Sequence, residues 1–142
     1  RDRRSKSALI QGIKDGIIDC IATDHAPHTS HDKDTTFDLA SCGLIGLESC
    51  LGVVKKVLVD EENLKLLDLI KLLTVSPRTI MGFDNDLLKE GKEAELVLFD
   101  EEQNWFFNEN DINSKSNNSP FINTQLSGKV VHTISKGIIT TN

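Results

Sequence analysis

An aspartate and two histidines fall within six residues in Thr23-Asp24-His25-Ala26-Pro27-His28. A carboxylate in such a cluster can ligate a divalent metal, and it can also carry a proton between an attacking water and a leaving group. The competing reading is that Asp24 caps the following turn, with His25 and His28 held in a loop by hydrogen bonds. Spacing alone leaves both readings open, because an Asp-His-x-x-His cluster offers at most the three protein ligands that a catalytic zinc site uses, with none to spare. The hydrolytic reading requires the Asp24 carboxylate to face a cleft.

The elements around the cluster bear on that choice. Immediately before it, Ile17-Ile18-Asp19-Cys20-Ile21-Ala22 is a short apolar run rich in β-branched residues after Gly16, and it predicts a buried strand. The cluster then lies at the strand's C-terminal end, where parallel α/β architectures build active sites. Residues 5–15 have apolar positions at helical spacing and predict a helix that stops at Gly16. Residues 26–41 lack periodicity and predict a long loop, in which His31 and Asp32-Lys33-Asp34 either close over a ligand or are simply solvated. In residues 45–59, Leu47, Leu51, Val54 and Leu58 form a helical stripe, leaving Lys55 and Lys56 for the wet face. A helix over 64–73 follows the acidic run Asp60-Glu61-Glu62, read as a solvated helix start, and a shorter helix is expected with Ser76 as N-cap and Pro77 first.

Beyond a turn at Gly91 the texture becomes β-rich. Strands are expected over 94–99, 129–134 and 138–141, the last two joined by Ser135-Lys136-Gly137. Trp105, Phe106 and Phe107 are expected to anchor their packing, with His132 on an exposed face. The Asn, Asp and Ser crowded into 108–118 favour a loop.

Sixteen basic against 22 acidic residues give a net charge of −6, which provides no electrostatic footprint for nucleic acid. No apolar run approaches the roughly 20 residues of a membrane span, so the chain is read as cytoplasmic. Cys20, Cys42 and Cys50 lack metal-knuckle spacing and are expected to be buried free thiols.

Residues 18–28, Ile18-Asp19-Cys20-Ile21-Ala22-Thr23-Asp24-His25-Ala26-Pro27-His28, resemble the final-strand motif of the dihydroorotases. Phe37, Ala40, Gly43 and Gly46-Leu47-Glu48 resemble that family's next loop and helix, and Leu73-Thr74-Val75-Ser76-Pro77 its terminal helix. The stretch from Gly91 to Asp100 and Ser119-Pro120-Phe121 resemble its small β domain. The resemblance implies an α/β chain: the C-terminal part of a (β/α)8 barrel in residues 1–83, with its last strand and following helices, and part of a β-sandwich in 84–142. It implies reversible, zinc-dependent hydrolysis of dihydroorotate to N-carbamoyl-L-aspartate in pyrimidine biosynthesis, with one or two zinc ions per site. Asp24 matches the family's metal-binding and proton-transferring aspartate, and His28 its substrate-carboxylate ligand. Cys42 and Gly43 match positions whose backbone touches the substrate ring, while His25 is expected to make a structural hydrogen bond beneath the site.

A complete barrel takes about 250 residues, so this chain is read as a fragment, inactive alone and with apolar faces left uncovered. The only histidines are His25, His28, His31 and His132, so the remaining metal ligands are expected outside it. Two alternatives stand beside dihydroorotase: an allantoinase- or hydantoinase-type cyclic amidohydrolase, and a non-catalytic subunit supporting aspartate transcarbamoylase. Homo-oligomerisation is a further partnership the family allows.

Overall fold

In the computed structural model, which describes residues 2–141, the amphipathic N-terminal stretch forms α1 (Arg3–Lys14). The Asp2 carboxylate caps it by accepting the Ser5 N–H at 2.8 Å, and Gly16 leaves it at φ +70°. The strand expected over 17–22 does not form. The Ile21 N–H donates to Leu72 O at 3.0 Å, and the first bridge comes later, where His25 pairs in parallel with Leu44. A parallel strand depends on neighbours from elsewhere in the chain, and the one sheet among the described residues is antiparallel and built from the C-terminal part.

Residues 30–33 are not plain loop: they form one turn, α2 (Ser30–Lys33), started by a reciprocal Thr29–Asp32 capping box. These hydrogen bonds from Thr29 hold the Asp32 carboxyl below its usual range. The next helix begins later than its apolar stripe suggests. Leu47 is exposed, α3 spans Cys50–Val54, and a π-helical segment continues over Lys55–Glu61. Lys55 also departs from expectation, being buried at 6 % exposure. Its ammonium donates to Asp60 Oδ1 at 2.9 Å and to Ser127 Oγ at 3.1 Å, so the charge is satisfied while the stem fills space beside Gly128. Asp60 therefore ties helix to sheet rather than starting a helix.

α4 (Leu66–Leu73) leads into α5 (Val75–Ile80), whose N-cap is Thr74 rather than Ser76. Pro77 still lies in the first turn, where its missing N–H costs nothing. Ile10, Leu58 and Leu69 form the buried core of this helical part, with Ile13, Ile21, Val54 and Leu73 against them. Each fully buried aliphatic side chain of this kind contributes about 1.5–3 kcal/mol.

The C-terminal part is a three-stranded antiparallel sheet in the order β1 (Leu96–Phe107), β2 (Thr124–Ser135), β3 (Ile138–Thr141). β1 outruns the strand expected to end at Phe99. Its pairing is interrupted between Asp100 and Asn104, where Asp100 Oδ1 accepts the Glu102 and Gln103 N–H groups, and resumes through Phe107. Phe107 and Leu126 are buried, and Leu126 lies over Gly52 of α3, where a Cβ would be 3.0 Å from its Cδ1. Trp105 meets Phe107 edge-on, as expected of a packing anchor, but Phe106 is exposed. Lys136 and Gly137, both at positive φ, make the two-residue β2–β3 turn, and His132 bonds through Nδ1 to Thr141 Oγ1 across the strands. Apolar side chains elsewhere remain uncovered, Phe37 being 99 % exposed. No helix among the described residues is long and apolar enough to cross a membrane.

The Lys55–Asp60–Ser127 link gives a stability prediction. Burial alone would raise the Asp60 carboxyl, but hydrogen bonds from Ser127 and Lys55, with the Lys55 charge, outweigh it and hold it below the usual range. A carboxyl depressed on folding contributes stability above its unfolded pKa, near 4, and loses it as pH falls through the lower folded value. Because the Asp60 side chain is 37 % exposed, Asp60→Asn is expected to cost only about 1–2 kcal/mol at neutral pH. The difference from wild type should shrink below about pH 4 in unfolding titrations.

Candidate active site

His25 is fixed from both sides. Its Nδ1 accepts the backbone N–H groups of Gly46 at 3.1 Å and Leu47 at 3.3 Å, so a neutral ring carries its proton on Nε2. That nitrogen lies 3.3 Å from Ser114 Oγ, which in turn donates to Glu48 Oε1. The two ring nitrogens are thus committed to structural bonds, as expected, and neither is directed at a metal. Burial would raise the Glu48 carboxyl, but the hydroxyl and N–H of Ser114 outweigh it and hold it below its usual range.

His28, Cys42 and Gly43 converge. The His28 Nε2–H donates to Cys42 O at 2.7 Å, and a Cβ on Gly43 would stand 3.4 Å from the same nitrogen and 2.6 Å from the Ala26 methyl. Gly43 has φ +112°, so both its conformation and this close approach call for glycine. Among the described residues the Cys42 and Gly43 N–H groups find no acceptor, which leaves them free for a ligand. Cys42 is exposed, not a buried thiol; Cys20 and Cys50 are half-buried, and burial raises the Cys50 thiol. An open cleft of about 360 Å³ is lined by His28, Thr29, Lys33 and Asn118, among others.

Asp24 stands apart from that cleft. Its backbone is left-handed, at φ +46°, a conformation that aspartate tolerates better than most residues. Its side chain is exposed and makes no hydrogen bond among the described residues, so the condition set by the sequence, that this carboxylate face a cleft, is not met by this stretch of chain. A free carboxylate oxygen suits zinc as one ligand. Among the described residues no group of three His, Cys, Asp or Glu side chains is placed to hold a metal, so Asp24 fits such an ion only as one contributor.

A larger groove, about 480 Å³, lies between Leu47, Glu48, Trp105 and Lys129, away from His28. Two residues that organise the site, Ser114 and Asn118, carry no motif and sit in an Asn- and Ser-rich stretch whose local signal is simply loop. Lys33 was legible only as part of a charged loop that closes over a ligand or is solvated, not as the donor to Ser41 O and Gly43 O that it is.

The amidohydrolase family model matches residues 3–139. The chain belongs to the amidohydrolase family. Among curated family relatives, it is 43 % identical to a dihydroorotase of Chlorobaculum tepidum over 127 residues, covering 89 % of this chain and 29 % of that protein. A Lactococcus lactis dihydroorotase is 44 % identical over 131 residues, covering 92 % and 31 %. The chain thus spans about a third of the length of the curated relatives it matches. Among solved structures, an L-hydantoinase from Arthrobacter aurescens superposes with TM-score 0.88 at 24 % identity, over 100 % of this chain and 33 % of that one. A D-hydantoinase from Thermus sp. gives 0.87 at 18 %, over 100 % and 32 %. These likenesses show a shared fold across the whole chain, consistent with part of the amidohydrolase barrel joined to a small sheet.

Proposed function

We propose that this chain is the part of a zinc-dependent dihydroorotase that supplies Asp24 and the His28 cleft, with residues 1–83 belonging to the barrel and 84–142 to a β-sandwich. The observation that carries the reading is identity above 40 % to dihydroorotases across most of the chain, whereas the hydantoinases share the fold at 24 % or less. Zinc, held by Asp24 together with ligands from the rest of the protein, would polarise the ring carbonyl and acidify the attacking water. The Asp24 carboxylate takes up the water's proton and delivers it to the departing ring nitrogen, a role that its lack of hydrogen-bond partners leaves open. His28, its Nε2–H spent on Cys42 O, turns Nδ1 to the substrate carboxylate when protonated, and the free N–H groups of Cys42 and Gly43 meet the ring.

The test is substrate choice by the full-length polypeptide that carries this sequence, supplied with zinc. Dihydroorotate should be hydrolysed with kcat/KM at least about a hundredfold above hydantoin or allantoin, because a site built for a substrate carboxylate loses that interaction with rings that lack it. Turnover of hydantoin without dihydroorotate would reassign the substrate, and turnover of none of the three would point to a non-catalytic scaffold.

A further inference from the structure

Three stretches of chain meet at the Asn118 side chain. Its Oδ1 accepts the His28 N–H at 3.2 Å, and its Nδ2 donates to Ala26 O at 2.9 Å and, more weakly, to Gly43 O at 3.4 Å. Its own carbonyl accepts the Ile45 N–H at 3.2 Å. Ser116 Oγ donates to the same Oδ1 at 2.5 Å, so the amide has one sensible orientation: a flip would set donor against donor and carbonyl against carbonyl. Lys33, presented by the capped turn of α2, donates to Ser41 O and Gly43 O, both at 2.6 Å. The Gly43 carbonyl is thus held by Lys33 and Asn118 together, and His28 is held at both its backbone and its ring.

We propose that Asn118 is a positioning residue for substrate recognition: it ties the His28 segment to the Cys42–Gly43 segment, setting the spacing between the group that reads a carboxylate and the N–H groups that read a cyclic amide. The inference rests on the dihydroorotase reading and adds that the loop before β2 belongs to the substrate site. The amide is suited to the task because it offers an acceptor and two donors on one short, planar group. Alanine offers none of these, and aspartate keeps the shape while placing a second acceptor against two carbonyls.

The experiment uses steady-state kinetics of the full-length zinc-loaded polypeptide on dihydroorotate. Losing a contact that aligns a binding group weakens ground state and transition state alike, so Asn118→Ala should raise KM about tenfold with kcat within about threefold. Asn118→Asp, although isosteric, should be at least as impaired; near-normal KM in this variant would mean that the side chain merely fills space. In a His28→Ala background, Asn118→Ala should add less than about a twofold change, since the two act as one unit. Unchanged KM in both Asn118 variants, or a full additional loss without His28, overturns the inference. If Asn118→Ala does not fold, Lys33→Met acts on the same Gly43 carbonyl and must also raise KM. Wild type failing to hydrolyse dihydroorotate sinks the functional reading itself, whereas an active wild type with indifferent variants sinks only the role of Asn118.

Discussion

Asp24→Asn in the full-length polypeptide should lower kcat for dihydroorotate by about a thousandfold or more, with KM within about threefold. Asparagine matches aspartate in shape but cannot accept the water's proton, and its neutral amide is a poorer zinc ligand. The structural confounds are small. The Asp24 carboxylate makes no hydrogen bond among the described residues, its side chain is exposed, and asparagine tolerates φ +46° as readily as aspartate. Loss of rate without loss of thermal stability would therefore report chemistry rather than folding. Zinc content, measured by atomic absorption, separates the two roles proposed for the carboxylate. Retained zinc with lost turnover assigns the proton transfer, while lost zinc assigns ligation. Activity within tenfold of wild type would remove Asp24 from the reaction and with it the mechanism proposed above.

What could be read from the residues themselves divides along the range of the interactions involved. α1 follows from apolar spacing and the stop at Gly16, α4 from apolar spacing alone, and the β2–β3 hairpin follows from Lys136-Gly137, whose positive φ values a two-residue turn demands. Residues 17–22 have the composition of a buried strand, yet a ladder is a property of two segments, and the described residues supply no neighbour. Lys55 shows the same limit from the other side. Its helical position pointed to solvent, but Asp60 and Ser127 accept its ammonium, and Ser127 lies 72 residues away.

The candidate site divides in the same way. Asp24, His28, Cys42 and Gly43 were singled out by motif, and the last three do lie together, with Gly43 forced by contact with Ala26 and by its φ. Asn118 could not be found this way, since its side-chain bonds to Ala26, His28 and Gly43 reach back 75 to 92 residues and its neighbours spell only loop. The enclosure of Asp24 was inferred from a strand end, and the described chain does not build it. A cleft requires walls, and one strand's worth of sequence carries information about one wall at most.

The largest stability effect is expected at Gly128. The residue is buried in β2 at φ +80°, opposite the interruption in β1, and its carbonyl accepts the Trp105 Nε1–H at 2.9 Å. A Cβ there would overlap the Phe99 ring, at Cζ and again at 2.8 Å from Cε2, and would stand 2.9 Å from Lys55 Cδ. Left-handed backbone costs an ordinary residue about 1–2 kcal/mol, and overpacking adds about 1–3 kcal/mol. Gly128→Ala should therefore destabilise this region by about 3 kcal/mol, read as a more than hundredfold loss of amide hydrogen-exchange protection along β1 and β2. Gly91→Ala is the control: φ is +85° there too, but nothing lies within 4 Å of the added methyl, so only the backbone cost remains. Shortening the obstructing ring with Phe99→Leu in the Gly128→Ala background should recover part of the loss, since the two side chains then no longer compete for one volume. Equal effects at Gly128 and Gly91 would show that the sheet yields around the methyl. In that case the Lys55 stem is not pinned against β2, and the buried ammonium is held by Asp60 and Ser127 alone.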